Sequence, residues 1–163
     1  YTTAHTLSLH DALPIWPDDF GASGLQCSLE RLTEDGVVIA CADEPSVTRE
    51  LQNHDVRVLT YGIQKNADVT AQIFEQSGGV TTLLLTHQDS TTVMETTLCG
   101  TAMASNHAAA ALVGLLLAEP IERIADSLSQ LRTIPGRSQR LSEPGKATVV
   151  IEAGGTPDRK SVV

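Results

Sequence analysis

The spacing of apolar and polar residues changes several times along the chain, and each change predicts a new element. Val37 to Cys41 is a short continuous apolar run after the turn-forming Glu34-Asp35-Gly36, the pattern of a strand buried on both faces of a parallel sheet. Asp43, Glu44 and Pro45 follow, a capping acid and a proline suited to a first helical turn, and Val47, Leu51 and His54 then recur at helical spacing. Val56 to Tyr61 is another strand. Together these pieces predict a right-handed βαβ crossover with its helix lying over the sheet.

Three β-rich segments come next, Val69 to Phe74, Val80 to Thr86 and Thr91 to Leu98, separated by Gly78-Gly79 and by Gln88-Asp89-Ser90. Those separators are hairpin signals. In the third segment Met94, Thr96 and Leu98 face one way and Val93, Glu95 and Thr97 the other, so one face is wetter. An antiparallel meander is therefore expected to continue from the parallel unit.

Thr101 to Glu119 reads as a helix, and because Ala108 to Ala118 is apolar on every side, it is expected to be surrounded by protein. Pro120 restarts the chain. Ile121, Ile124, Ala125, Leu128 and Leu131 form one helical stripe, with Glu122 early and Arg132 late as the helix dipole favours, and Gly136 is expected to end it. Ser138 to Leu141 and Ala147 to Glu152, joined by Glu143-Pro144-Gly145, complete the chain as a strand pair. The order of elements predicts a mixed α/β fold: a βαβ unit, an antiparallel meander, a helix pair and a hairpin.

Composition narrows the function. The 163 residues include 11 basic and 20 acidic side chains, for a net charge of -9. Such a chain lacks the cationic surface that nucleic-acid binding requires, and Tyr1, Trp16, Phe20, Tyr61 and Phe74 are too few to form stacking platforms. No apolar run reaches the roughly 20 residues that span a bilayer, so membrane insertion is not expected. Cys27, Cys41 and Cys99 are odd in number and widely spaced, which suggests neither a disulfide framework nor a zinc site. A cytoplasmic location is expected.

The two ends stand apart. Residues 1–15, YTTAHTLSLHDALPI, lack the features of a secretory leader and look like a translated sequencing-adaptor stretch, as do residues 159–163, RKSVV. The expected organisation is a non-native tail over 1–15, a partial domain over 16–151, the start of a hinge over 152–158 and a second non-native tail over 159–163. His10 beside Asp11 lies in the first tail, and a single pair of this kind is not expected to form a metal site. Elsewhere no G-x-x-x-x-G-K-S/T loop, G-x-S-x-G elbow, H-E-x-x-H or G-x-G-x-x-G occurs, so no phosphate cradle, metal site or catalytic residue is read from motifs.

Five segments taken in order carry more. DGVVIACADEP, VRVLTYGI, NADVTA, the run from LCGTAMASNHAAAALVG through TIPGRSQRL, and TVVIEAGGTPD together resemble the Mur ligases. In that family the corresponding runs are a D-G-x-x-V-x-N-A-D-D-P strand and helix start, a T-Y-G strand, a G-x-x-N-x-x-N-A-x-A-A helix, a P-G-R-x-E turn and a V-x-D-Y-A-H-T-P-D strand. The resemblance spans Asp35 to Asp158 and implies the distal part of a central ATP-binding domain. Its P-G-R and T-P-D segments are most like the branch that adds meso-diaminopimelate or lysine to UDP-N-acetylmuramoyl-L-alanyl-D-glutamate; the L-alanine-adding branch stays open.

What the resemblance implies is an ATP- and magnesium-dependent enzyme of peptidoglycan synthesis. It joins an amino acid to a UDP-N-acetylmuramoyl peptide through an acyl-phosphate. The helix asparagine that holds adenine falls on Asn106, the arginine near ribose and phosphates on Arg137, and the acid beside the ribose on Glu152. Each type suits its role: an amide offers a donor and an acceptor together, and a guanidinium grips phosphate oxygens as a fork. The ordinary alternatives are a packing asparagine, a solvated arginine and a strand-end carboxylate. Several family positions differ, with Met103 for the first helix asparagine, Gln139 for the glutamate after P-G-R, and Ala153 and Gly155 for the tyrosine and histidine. Those departures keep open a diverged, non-catalytic binding module. Oligomeric state is not readable.

Overall fold

The computed structural model describes residues 28–64, 66–98, 100–132, 139–141 and 149–151. Its elements run β1 (Val37–Cys41), α1 (Pro45–Leu51), β2 (Arg57–Gly62), β3 (Val69–Ser77), β4 (Val80–His87), β5 (Ser90–Thr96), α2 (Thr101–Leu116), α3 (Ile121–Ser129), β6 (Gln139–Leu141) and β7 (Val149–Ile151). The larger of two units, Gly36–Ala153, holds all of them. In the other, the Arg31 amide donates to the Ser28 carbonyl and the Leu32 amide to that of Leu29, forming a turn.

Strands β1 to β5 form one sheet in chain order. β1 and β2 are parallel, with Val37 beside Arg57 and Cys41 beside Tyr61, so the predicted βαβ unit is present. β3, β4 and β5 are successively antiparallel, the expected meander. Gly78 and Gly79, with φ of 59° and 87°, make the first hairpin turn, where the left-handed region matches the strand twist. β6 and β7 pair antiparallel as a separate two-stranded sheet.

Joining β2 to β3 is less ordinary. Parallel neighbours usually need a crossover of a dozen or more residues, yet residues 63–68 alone connect these two. The solution is a stagger: they pair only at Tyr61 with Val69 and Gly62 with Thr70. Asp68 pins the connection, because its Oδ2 accepts from the Thr60 amide at 2.7 Å and the Thr60 hydroxyl at 2.8 Å. The Asp68 carbonyl in turn accepts from Nδ1 of His87 on β4 at 2.9 Å. Asn66 takes the left-handed turn at φ 86°, a conformation asparagine tolerates better than most residues.

The core lies on one face of the sheet. Val69, Ala71, Leu83, Leu85 and Met94 meet Ala104, Ala108, Ala111 and Leu112 of α2 and Ile121, Ile124 and Ala125 of α3. The helices approach closely at Gly114, where an added Cβ would sit 2.7 Å from Cδ1 of Ile124. α2 ends in a reciprocal cap: the Glu119 amide donates to Gly114 and the Ala118 amide to Leu115, with Ala118 at φ 62°.

Four expectations are corrected. β1 is the outermost strand and mostly half-buried, with Ala40 alone buried, instead of being covered on both faces. α2 is not surrounded; Met103, Ala104, His107, Ala108, Ala111 and Leu112 are buried while Ala102, Asn106 and Ala110 are exposed. α3 stops at Ser129, well before Gly136, and leaves Leu131 44% exposed. α1 ends at Leu51, so His54 lies beyond it. The expected tails at 1–15 and 159–163 lie outside the described residues.

Candidate functional site

The carboxyl ends of β1 and β2 lie side by side, the position where open α/β sheets take their ligands. Asp43, just beyond β1, does not cap α1 as its spacing suggested; the N-cap is Glu44, without a side-chain cap. Instead Oδ2 of Asp43 accepts from the Ile63 amide at 2.7 Å and so ties the two strand ends together. The tie explains the glycine before it. A Cβ at Gly62 would stand 2.9 Å from that same oxygen. The partner lies twenty residues upstream, and sequence spacing alone does not name it.

Tyr61, the strand residue before this glycine, has its phenol held above the ordinary value of 10.0, first by burial and then by the Cys41 thiol and Glu44 carboxylate nearby. It stays neutral at physiological pH. Its ring packs against the main core.

Asn106 stands in the second turn of α2 on the exposed side. Its amide has no hydrogen-bond partner among the described residues, so both its donor and its acceptor are available to a planar base edge. Its helix neighbours face inward. Met103, at the family's first asparagine position, is 5% exposed, and His107 is 3% exposed with Nδ1 donating to the Met103 carbonyl at 2.6 Å. Nε2 of His107 is buried and unpaired. Arg137 and Glu152 lie outside the described residues, as do Ala153 and Gly155, so of the three expected site residues the structure places Asn106 alone. Gln139 falls on β6, which pairs with β7. Among the described residues no group of three or more acidic, histidine or cysteine side chains is arranged to hold a metal, and no helix is long and apolar enough to cross a membrane.

Sheet, staggered connection and helix pair define an α/β domain, and comparison with known proteins places it. Residues 29–114 match the Mur ligase middle domain, and the chain belongs to that family. A UDP-N-acetylmuramoyl-L-alanyl-D-glutamate--2,6-diaminopimelate ligase from Geobacillus kaustophilus is 34% identical over 102 residues, covering 62% of this chain and 21% of that protein. Its namesake from Halalkalibacterium halodurans is 26% identical over 122 residues, covering 75% and 25%. Among solved structures, a MurF from Acinetobacter baumannii superposes with a TM-score of 0.60 at 19% identity, covering 77% of this chain and 29% of that one. A MurF ligase from Thermotoga maritima in complex with ADP gives 0.58 at 20% identity, covering 69% and 26%. The likeness to the two solved structures is one of fold. This chain spans 21% to 25% of the length of the two curated relatives.

Proposed function

We propose that this chain is the nucleotide-side part of the middle domain of an ATP-dependent ligase of peptidoglycan synthesis, one that joins an amino acid to a UDP-N-acetylmuramoyl peptide in the cytoplasm. The observation that carries the reading is the family match over residues 29–114, inside which Asn106 stands exposed with its amide unpaired. In this account Asn106 meets the adenine edge, donating to a ring nitrogen and accepting from the amine, and Arg137 and Glu152 meet the phosphates and ribose. ATP supplies the phosphoryl group that activates the substrate carboxylate, and magnesium screens its charge. The P-G-R and T-P-D segments and the diaminopimelate-adding relatives support diaminopimelate as the amino acid added.

The chain alone is expected to be inactive. Phosphoryl transfer rests on electrostatic stabilisation of the moving group, and its sequence contains no phosphate loop to provide it. The net charge of -9 also opposes a polyanionic nucleotide. Isothermal titration with Mg-ATP is expected to show nothing tighter than millimolar; micromolar binding would contradict the account.

A second reading draws on Met103, which puts a buried thioether where the family has an amide. It makes the intact protein a diverged, non-catalytic binding module. The upstream reading frame discriminates: a Gly-Lys-Ser/Thr loop about one hundred residues before Asp35 favours the enzyme, and its absence the module.

A further inference from the structure

Among the described residues β5 is the last strand of the sheet, and α3 packs against it. Between them lies a cleft of ≈ 370 Å³ lined by Val93, Met94, Glu95, Ala125, Asp126, Ser129 and Arg132. Nearby, the Thr97 hydroxyl donates to the Arg132 carbonyl at 2.6 Å and ties the two sides together. From the tight turn that joins His87 to Ser90, antiparallel alternation leaves the amides and carbonyls of Thr91, Val93 and Glu95 facing away from β4, toward this cleft. Among the described residues this edge is unpaired, and a strand edge flanked by a helix is the geometry that accepts an added strand.

Charge selects the guest. Glu95 and Asp126 both line the cleft, with Arg132 its one basic lining residue, on a chain of net charge -9. Val93 is 62% exposed on one face of β5, while the neighbouring Met94 is buried on the other. We infer that the β5–α3 cleft binds an extended basic peptide segment as a sixth strand, its backbone pairing with Thr91, Val93 and Glu95 and its cationic side chains meeting Glu95 and Asp126. This inference stands on the fold and is independent of the ligase reading.

The test is fluorescence anisotropy with a labelled Lys-Thr-Val-Lys-Val-Thr-Lys peptide and its counterpart carrying Glu for Lys. The basic peptide is expected to bind saturably and the acidic one not. Val93→Pro removes an outward amide while sparing the β4 pairing, and Asp126→Lys reverses one cleft charge on an exposed helix position. Each is expected to weaken binding by about tenfold, the scale of one hydrogen bond or ion contact, with an unchanged circular dichroism spectrum. Absent binding, equal binding of both peptides, or variants that bind like the parent overturn the proposal. So does a chain that is dimeric until Val93→Pro makes it monomeric, because the edge then belongs to a second copy.

Discussion

At Gly62 contact, not backbone angle, demands glycine. Methyl substitution there displaces the Asp43 carboxylate, and the Ile63 amide loses its acceptor. Gly62→Ala is therefore expected to cost about 1–3 kcal/mol, the penalty for a polar group left unsatisfied in a part-buried site. Urea unfolding should show a lower midpoint with unchanged slope; an unchanged midpoint contradicts the tie. Tyr61 makes a pH prediction of definite sign. Its phenol is raised above 10.0 in the folded chain, so folding holds the proton more tightly than the unfolded state does. Its contribution to stability is complete below pH 10.0 and is lost as pH climbs through the raised folded value. Of the two tyrosines, Tyr1 and Tyr61, phenolate absorbance should show one ionising late, and Tyr61→Phe should abolish that late step.

Among the elements, α2 carries a removable strain at its end. Ala118 sits at φ 62° in a cap that glycine adopts freely. Ala118→Gly is expected to stabilise the chain by about 1 kcal/mol, seen as a higher thermal midpoint, and a fall would contradict the cap. How much of each element the sequence revealed depended on its periodicity. β5 was legible because Met94 and Thr96 alternate with Val93 and Glu95, and α3 because Ile121, Ile124 and Ala125 recur on one stripe. α2 was legible as a helix but its buried face was not, since alanines at 108 to 111 show no polar side, and packing against the sheet alone decides that Ala110 faces out while Ala108 and Ala111 face in. Likewise an apolar run marks β1 as a strand but cannot place it at the edge, which is a non-local property of the sheet. Asn106 drew notice only through the spacing of its family motif. That its amide is exposed and unpaired comes from helix packing.

In the whole molecule the proposed nucleotide contact stands apart from the core. Twelve buried residues of β3, β4, β5, α2 and α3 form one cluster, and Asn106 rides on its outer surface. Substituting it should leave the fold intact, which makes the nucleotide reading separable from stability. For the proposed ligase reading, the decisive measurement is steady-state kinetics of the intact protein with Asn106→Ala. The KM for ATP is expected to rise by about tenfold, the loss of one or two hydrogen bonds, with the KM for the UDP-N-acetylmuramoyl peptide unchanged. An unaltered KM for ATP in a folded variant would contradict the central claim that this asparagine meets the nucleotide.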